Sequence, residues 1–104
     1  MMIEKRELQS GDTLIEARGN IVGDAVEEFR TALHEAIASP GHLILLDLTK
    51  VQTMSSRAIG VLLLARKMAL AEGRTIRFDK CSPLLAKTLL TMRFDSIFDL
   101  RCTE

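Results

Sequence analysis

The sequence predicts a small α/β domain, a mixed sheet of four or five strands packed with helices. Three observations carry the prediction. Strand-like and helix-like segments follow one another as strand, strand, helix, strand, helix, strand, helix, with a short apolar segment at the end. The run Leu43-Ile44-Leu45-Leu46 is apolar without alternation, as a central strand covered on both faces is. The later strands are separated by helix-length segments, which parallel crossovers require.

Each element has a local reason. Ile3 to Leu8 and Thr13 to Arg18 read as two short strands around Gln9-Ser10-Gly11-Asp12, whose composition is turn chemistry, so the chain opens on a β-hairpin. Gly19-Asn20-Ile21-Val22-Gly23-Asp24 breaks the second strand, and Asp24 is placed to cap a helix. In that helix Val26, Phe29, Leu33, Ala36 and Ile37 recur at three- and four-residue spacing, while Glu27, Glu28, Arg30, Thr31, His34 and Glu35 form a solvated face. Ser39-Pro40-Gly41 ends it, because proline cannot continue the hydrogen-bond ladder.

After the strand at Leu43–Leu46, the segment Asp47 to Met54 leads away to Ser55-Ser56. There a second helix begins, marked by Ile59, Leu62, Leu63, Arg66, Ala69 and Leu70 and closed by Glu72-Gly73. Arg74 to Phe78 alternates as a fourth strand. Ser82-Pro83 supplies a cap and a proline at the first helical position for a third helix over Leu84 to Met92. Ile97 to Arg101 reads either as a last short strand or as a docked tail.

Composition narrows the function. The chain has 104 residues, the size of one domain, so residues 1–104 are expected to form a single unit. Hydrophobic residues at 47% and charged residues at 27% suit a soluble globular protein. Fourteen basic residues balance fourteen acidic ones, which leaves no cationic excess to neutralise the phosphates of a nucleic acid. All four aromatic residues are Phe, so no Tyr or Trp platform exists for stacking bases, and a protein partner is the expected ligand. The longest apolar run, Val61 to Ala65, is far short of the roughly 20 residues that span a bilayer. The charged start is followed by no signal-peptide core, so the protein is expected to be cytoplasmic without inserting into a membrane. Cys81 and Cys102 lack the spacing of a metal or redox pair, and they are expected to be reduced structural thiols.

No Gly-x-Ser-x-Gly elbow, phosphate loop or dinucleotide fingerprint occurs, which argues against an enzyme. His34 and His42 have no further ligand at metal-binding spacing and read as surface histidines. Ser55 or Ser56 lies where a helix begins and has an ordinary use as its cap, worth about 1 kcal/mol. Asp47 has an ordinary use in closing a turn onto the N–H of Thr49 or Lys50.

The segment from Leu43 to Leu64 carries more than these local uses. A buried strand ends in Asp47-Leu48-Thr49, Val51 follows, and Met54-Ser55-Ser56 opens a helix containing Gly60. In order and spacing this resembles the STAS family of the anti-sigma factor antagonist type, and the likeness extends more weakly over most of the chain. It implies a STAS-like α/β fold and a non-enzymatic regulator without cofactor, catalytic residue or metal. The phosphoacceptor of that pattern falls on Ser56, with Ser55 as the alternative. Arg57 and Ala58 stand where a small residue and glycine are usual in the family.

The resemblance further implies a partner-binding surface of Gly23, Asp24, Asp47, Thr49, Ser55, Ser56, Arg57 and Ile59. The partner would be an anti-sigma factor that is also a serine kinase, with a serine phosphatase to reverse the modification, and binding would release a sigma factor. Two other uses exist within the family, as a subunit of a stress-signalling assembly or of a membrane lipid-transport complex. A more distant alternative is a receiver domain phosphorylated on Asp47 with Lys80 as its lysine. The chain has no acidic pair at its first strand to hold magnesium, and too few residues after Asp47 for the crossovers that fold needs.

Overall fold

The computed structural model describes residues 2–102. Strands β1 (Met2–Glu7) and β2 (Thr13–Arg18) precede helix α1 (Ala25–Ala38) and strand β3 (Leu43–Lys50). Helix α2 (Ser56–Ala71), strand β4 (Thr75–Cys81), helix α3 (Pro83–Thr91), a 3-10 turn at Phe94–Ser96 and strand β5 (Asp99–Leu100) complete the order. The five strands lie side by side in sequence order. β1 and β2 are antiparallel, and every later neighbour is parallel. The final segment therefore includes a strand, and the sheet is mixed as the sequence predicts.

One face of the sheet holds the core. Ile15 and Ala17 of β2, Ile44, Leu46 and Leu48 of β3, and Ile76 and Phe78 of β4 are buried in one cluster with Phe29 and Leu33 of α1, Leu62 and Ala65 of α2, and Leu85 and Leu89 of α3. On the other face Leu14, Leu45, Asp47 and Arg77 are only half-buried. The expectation that β3 is covered on both faces is therefore corrected. β3 is central, but strict alternation of buried and half-buried residues shows that helices cover only one of its faces. The strand also runs four residues further than Leu46, because burial of Leu48 keeps the alternation going and carries Asp47 and Thr49 into the strand.

Asp24 does not cap α1. Its backbone is already helical and its side chain makes no cap bond. The first helical N–H groups, those of Ala25 and Val26, instead reach back to the carbonyls of Val22 and Gly23. A side-chain cap needs an extended backbone, and the turn at Val22-Gly23 winds into the helix one residue too early for that.

The other end of α1 is closed from a distance. Arg74, only 2% exposed, sends one guanidinium nitrogen to the carbonyls of Ala36 and Ser39, the latter at 2.7 Å. The second nitrogen donates to the Leu43 carbonyl at 3.2 Å and to Thr13 Oγ1 at 3.4 Å. α1 has no basic residue in its own last turn, so Arg74 supplies the cation that the negative end of the helix dipole favours. The chain around it must stay thin: Gly41 has φ 129°, and a Cβ there would lie 2.3 Å from the Gly11 carbonyl oxygen and 3.0 Å from the guanidinium.

Cys81 and Cys102 are joined in a disulfide, which corrects the expectation of free thiols. α3 and the 3-10 turn form an excursion that returns β5 alongside β4, so residues 21 apart in sequence come to a Cα separation of 5.6 Å. Closing a loop of that length contributes about 3 kcal/mol by constraining the unfolded chain. Nearby, Phe98 packs edge-on to Phe78 and stacks on Phe94, anchoring the same segment.

Replacing Arg74 with Ala removes the side-chain donor from the part-buried Ser39 and Leu43 carbonyls and one of the donors to the buried Ala36 carbonyl, and is expected to lower stability by roughly 3 kcal/mol in urea unfolding at unchanged slope. Arg74→Lys should recover only part of this, since an ammonium cannot fork across four acceptors. Asp12 offers a test in pH. Its carboxylate accepts the Leu43 N–H at 2.9 Å, and this bond, helped by the Ser10 hydroxyl and opposed by desolvation, holds its pKa below the ordinary aspartate range. Because the folded value is the lower one, the stabilisation is present above the unfolded pKa of about 3.9 and is lost as pH falls through the folded value. Wild type minus Asp12→Asn stability, measured against pH, should shrink across that acid window and stay flat above it.

Candidate functional site

The site forms where the parallel strands end. Gly19 donates its N–H to the Lys50 carbonyl at 2.9 Å, and the Asn20 side-chain oxygen accepts from the N–H groups of Gln52 and Thr53 at 3.3 and 3.2 Å. Ile21 N–H reaches the Thr53 carbonyl, Ser55 N–H reaches the Ile21 carbonyl, and Ile21 forms a parallel bridge with Met54. The loop after β2 is thus stitched to the loop after β3, so Gly23 and Asp24 lie beside the start of α2. A third loop joins from β4: the Ser82 hydroxyl donates to the Val51 carbonyl at 2.6 Å and its N–H to the Leu48 carbonyl at 3.3 Å.

The two serines have different jobs. Ser55 has the extended backbone of an N-cap, and its Oγ accepts the Ala58 N–H at 3.1 Å. Ser56 is the first helical residue, exposed, and no side-chain hydrogen bond engages it among the described residues. Arg57 is also exposed and pairs with Glu27 of α1 at 2.5 Å, tying the start of α2 to its neighbour helix. Ile59 is half-buried one turn further on, and Val22 presents an apolar side chain to solvent, 47% exposed, at the adjoining loop.

Of the eight residues expected at a partner-binding surface, the fold gathers Gly23, Asp24, Ser55, Ser56, Arg57 and Ile59 around these loops. Asp47 and Thr49 are not brought to the same surface. Their side chains stand on the uncovered face of the sheet, where Thr49 donates both its N–H and its hydroxyl to one Asp47 oxygen, at 3.1 and 2.7 Å. Asp47 thus accepts the Thr49 N–H as expected, but within β3 and not at a turn. The sequence reading missed Asn20, Glu27, Val22 and Ser82 at the site. Asn20 and Ser82 work through carbonyls and amides more than thirty residues away, which leave no local signal, whereas Val22 was visible as an apolar residue in a Gly-rich turn.

No group of three or more His, Cys, Asp or Glu side chains suited to a metal occurs among the described residues. No described helix is long and apolar enough to cross a membrane. The arrangement offers a surface for binding, with an exposed hydroxyl at a helix N-terminus, whose free N–H groups and positive dipole end tolerate an added anion.

A mixed five-stranded sheet covered by helices on one face, with that serine at the start of the second helix, defines a STAS-type α/β domain. The family model described as "Mlab, STAS domain" matches residues 5–101, and the chain belongs to the STAS domain family. A STAS-domain containing protein of Pseudomonas aeruginosa (strain UCBPP-PA14) is 31% identical over 86 residues, covering 83% of this chain and 84% of the relative. Among solved structures, the anti-sigma factor antagonist SpoIIAA in its unphosphorylated form superposes with a TM-score of 0.78 at 17% identity, covering 95% of this chain and 87% of that one. That likeness establishes the shared fold.

Removing the cap tests the division of labour between the serines. Ser55→Ala is expected to cost about 1 kcal/mol of stability, and Ser56→Ala well under half of that, in parallel thermal or urea unfolding.

Proposed function

We propose that this chain is a single-domain, non-enzymatic anti-sigma factor antagonist that works by partner switching and is inactivated by phosphorylation of Ser56. The observation that carries the reading is the contrast between the serines: Ser55 is half-buried and spent on capping, whereas Ser56 is exposed with its hydroxyl uncommitted. A kinase needs an acceptor it can reach. Ser56 therefore takes precedence over Ser55 as the acceptor.

In this reading the unphosphorylated protein docks the start of α2, with Gly23, Asp24, Arg57 and Ile59 around it, onto an anti-sigma factor that is also a serine kinase. The partner lets go of its sigma factor in exchange. The kinase uses its own ATP, and this chain supplies the acceptor oxygen and a shaped surface without a cofactor. Phosphorylation adds about −1.5 to −2 charges at the centre of the contact, which desolvation of the interface makes costly, and a serine phosphatase restores the binding form. Asp47 and Thr49 act from the other face by holding the end of β3 that leads to the site. The family membership and the SpoIIAA-like fold support the reading, as does a net charge of zero that gives no pull toward nucleic acid. The setting is the cytoplasm, where such kinases and sigma factors operate.

The test recovers the protein from its native cells in phosphatase inhibitors and maps phosphosites and co-purifying proteins by mass spectrometry. Phosphate on Ser56 and a kinase-like anti-sigma factor are expected. With that partner in hand, Ser56→Asp should weaken binding by about tenfold or more, equivalent to ~1.4 kcal/mol, while Ser56→Ala binds like wild type and takes no phosphate. An unmodified Ser56 across growth conditions, together with co-purification of a membrane-bound ATPase, would replace this reading with the lipid-transport subunit.

A further inference from the structure

We propose that Cys81 and Cys102 form a reversible thiol–disulfide site that clamps the C-terminal edge of the sheet and, through Ser82, sets the rigidity of the loop that leads to Ser56. The redox site stands on its own geometry, and its consequence for partner docking rests on the function proposed above.

Three observations carry it. Both cysteines are half-buried and line the wall of an open surface depression together with Pro83, Lys87 and Leu90, which gives a small thiol an approach to the pair. A disulfide serving structure alone is expected inside, away from exchange partners. Second, the edge that it holds is slight. β5 has two residues, tied by the Arg77–Asp99 ion pair at 2.8 Å and by the Arg101 N–H on the Phe78 carbonyl at 2.9 Å. A covalent link adds to these ties and to the packing of Phe98 on Phe78 and Phe94.

Third, the link is coupled to the site. Cys81 is followed by Ser82, which donates its N–H to Leu48 and its hydroxyl to Val51 while its Oγ accepts from Leu85. Val51 opens the segment that ends at Ser55-Ser56. Ser82 therefore joins the cysteine, the cap of α3 and the β3–α2 loop in one hydrogen-bonded unit.

The chemistry requires an oxidant, and a low-molecular-weight disulfide such as oxidised glutathione meets the need. The thiolate of one cysteine attacks a glutathione sulfur, forming a mixed disulfide and expelling one glutathione thiolate. The second cysteine, as thiolate, attacks the protein sulfur of the mixed disulfide and expels the other. Two protein thiols are oxidised, one glutathione disulfide is reduced to two thiols, and the two protons released by the cysteines end on them. Lys87 beside the depression places a cation where the reacting thiolates carry charge.

The test equilibrates the full chain in a series of reduced and oxidised glutathione mixtures. The crosslinked fraction is read by alkylation and mass spectrometry, and backbone hydrogen exchange is read at the two ends of the series. The expected result is a crosslink that forms and breaks within the series. Reduction should speed exchange at the Arg101 amide about tenfold or more, and at the Ser82 and Val51 amides about threefold, as local opening becomes easier. Cys102→Ser should match reduced wild type in both buffers, and since reduced wild type is measured too, the comparison survives a poorly folding variant. A crosslink that never forms, or never breaks, overturns the reversible site. Equal exchange at Ser82 and Val51 in both states overturns its transmission to the loop. None of these readouts involves a partner or a phosphate, so the fate of the Ser56 reading is decided separately.

Discussion

The structure depends on one buried cation. Arg74 directly precedes β4 and makes no ion pair among the described residues. Its charge is met by the carbonyls of Ala36 and Ser39 at the end of α1 and of Leu43 at the start of β3, with Thr13 at the start of β2. Desolvating a guanidinium is costly, and an array of dipoles repays the cost only if all its members hold their places. The same contact therefore fixes the C-terminus of α1 and the beginnings of three strands. Gly41, whose missing Cβ leaves room between Gly11 and the guanidinium, is part of the same constraint.

With the strand beginnings fixed, the strand ends are free to serve as a site. β3 spans eight residues, about 26 Å of extended chain, between the Arg74 anchor and the loop before α2. At that far end backbone bonds link the first loop to the second, and two polar side chains add to them: Asn20 across the same pair, and Ser82 between the second and third. Ile21 and Val51, both fully buried, seat these loops on the core. The side chains between them, Val22, Ser56 and Arg57, remain exposed for contact. A rigid base whose rim is seated on the core and whose outer side chains stay exposed suits the partner binding and modification proposed above.

Most of the fold was legible because its signals are local. The spacing of Val26, Phe29, Leu33 and Ile37 marks α1, and Ser82-Pro83 starts α3 with the cap and proline that the residues themselves suggest. What was misread depends on contacts far apart in sequence. Leu43-Ile44-Leu45-Leu46 looks the same whether one or both faces of a strand are covered, since leucine tolerates a half-buried position. Asp24 has the right chemistry for a cap but the wrong backbone, which is set by the turn before it. Arg74 read as the first residue of an alternating strand, and nothing around it in sequence announces its partners more than thirty residues earlier. The cysteine pair was hidden by the α3 excursion. At the site, Ser55 and Ser56 were legible as a pair at a helix start, but which of them caps and which is exposed is decided by the register of α2, and only the structure fixes that.

That register matters for how the proposed switch works. A phosphate on the capping serine would have to give up the Ala58 N–H bond or crowd it, so modification would disturb α2 and the Leu62 and Ala65 packing beneath it. A phosphate one residue later is directed outward from a helix whose N-terminal dipole favours an anion, so the modified chain keeps its fold. The cost of the added charge then falls on the partner, whose surface must desolvate it. Switching of this kind separates binding from stability. A regulator that cycles between two states benefits from that separation, because neither state needs to unfold to reach the other.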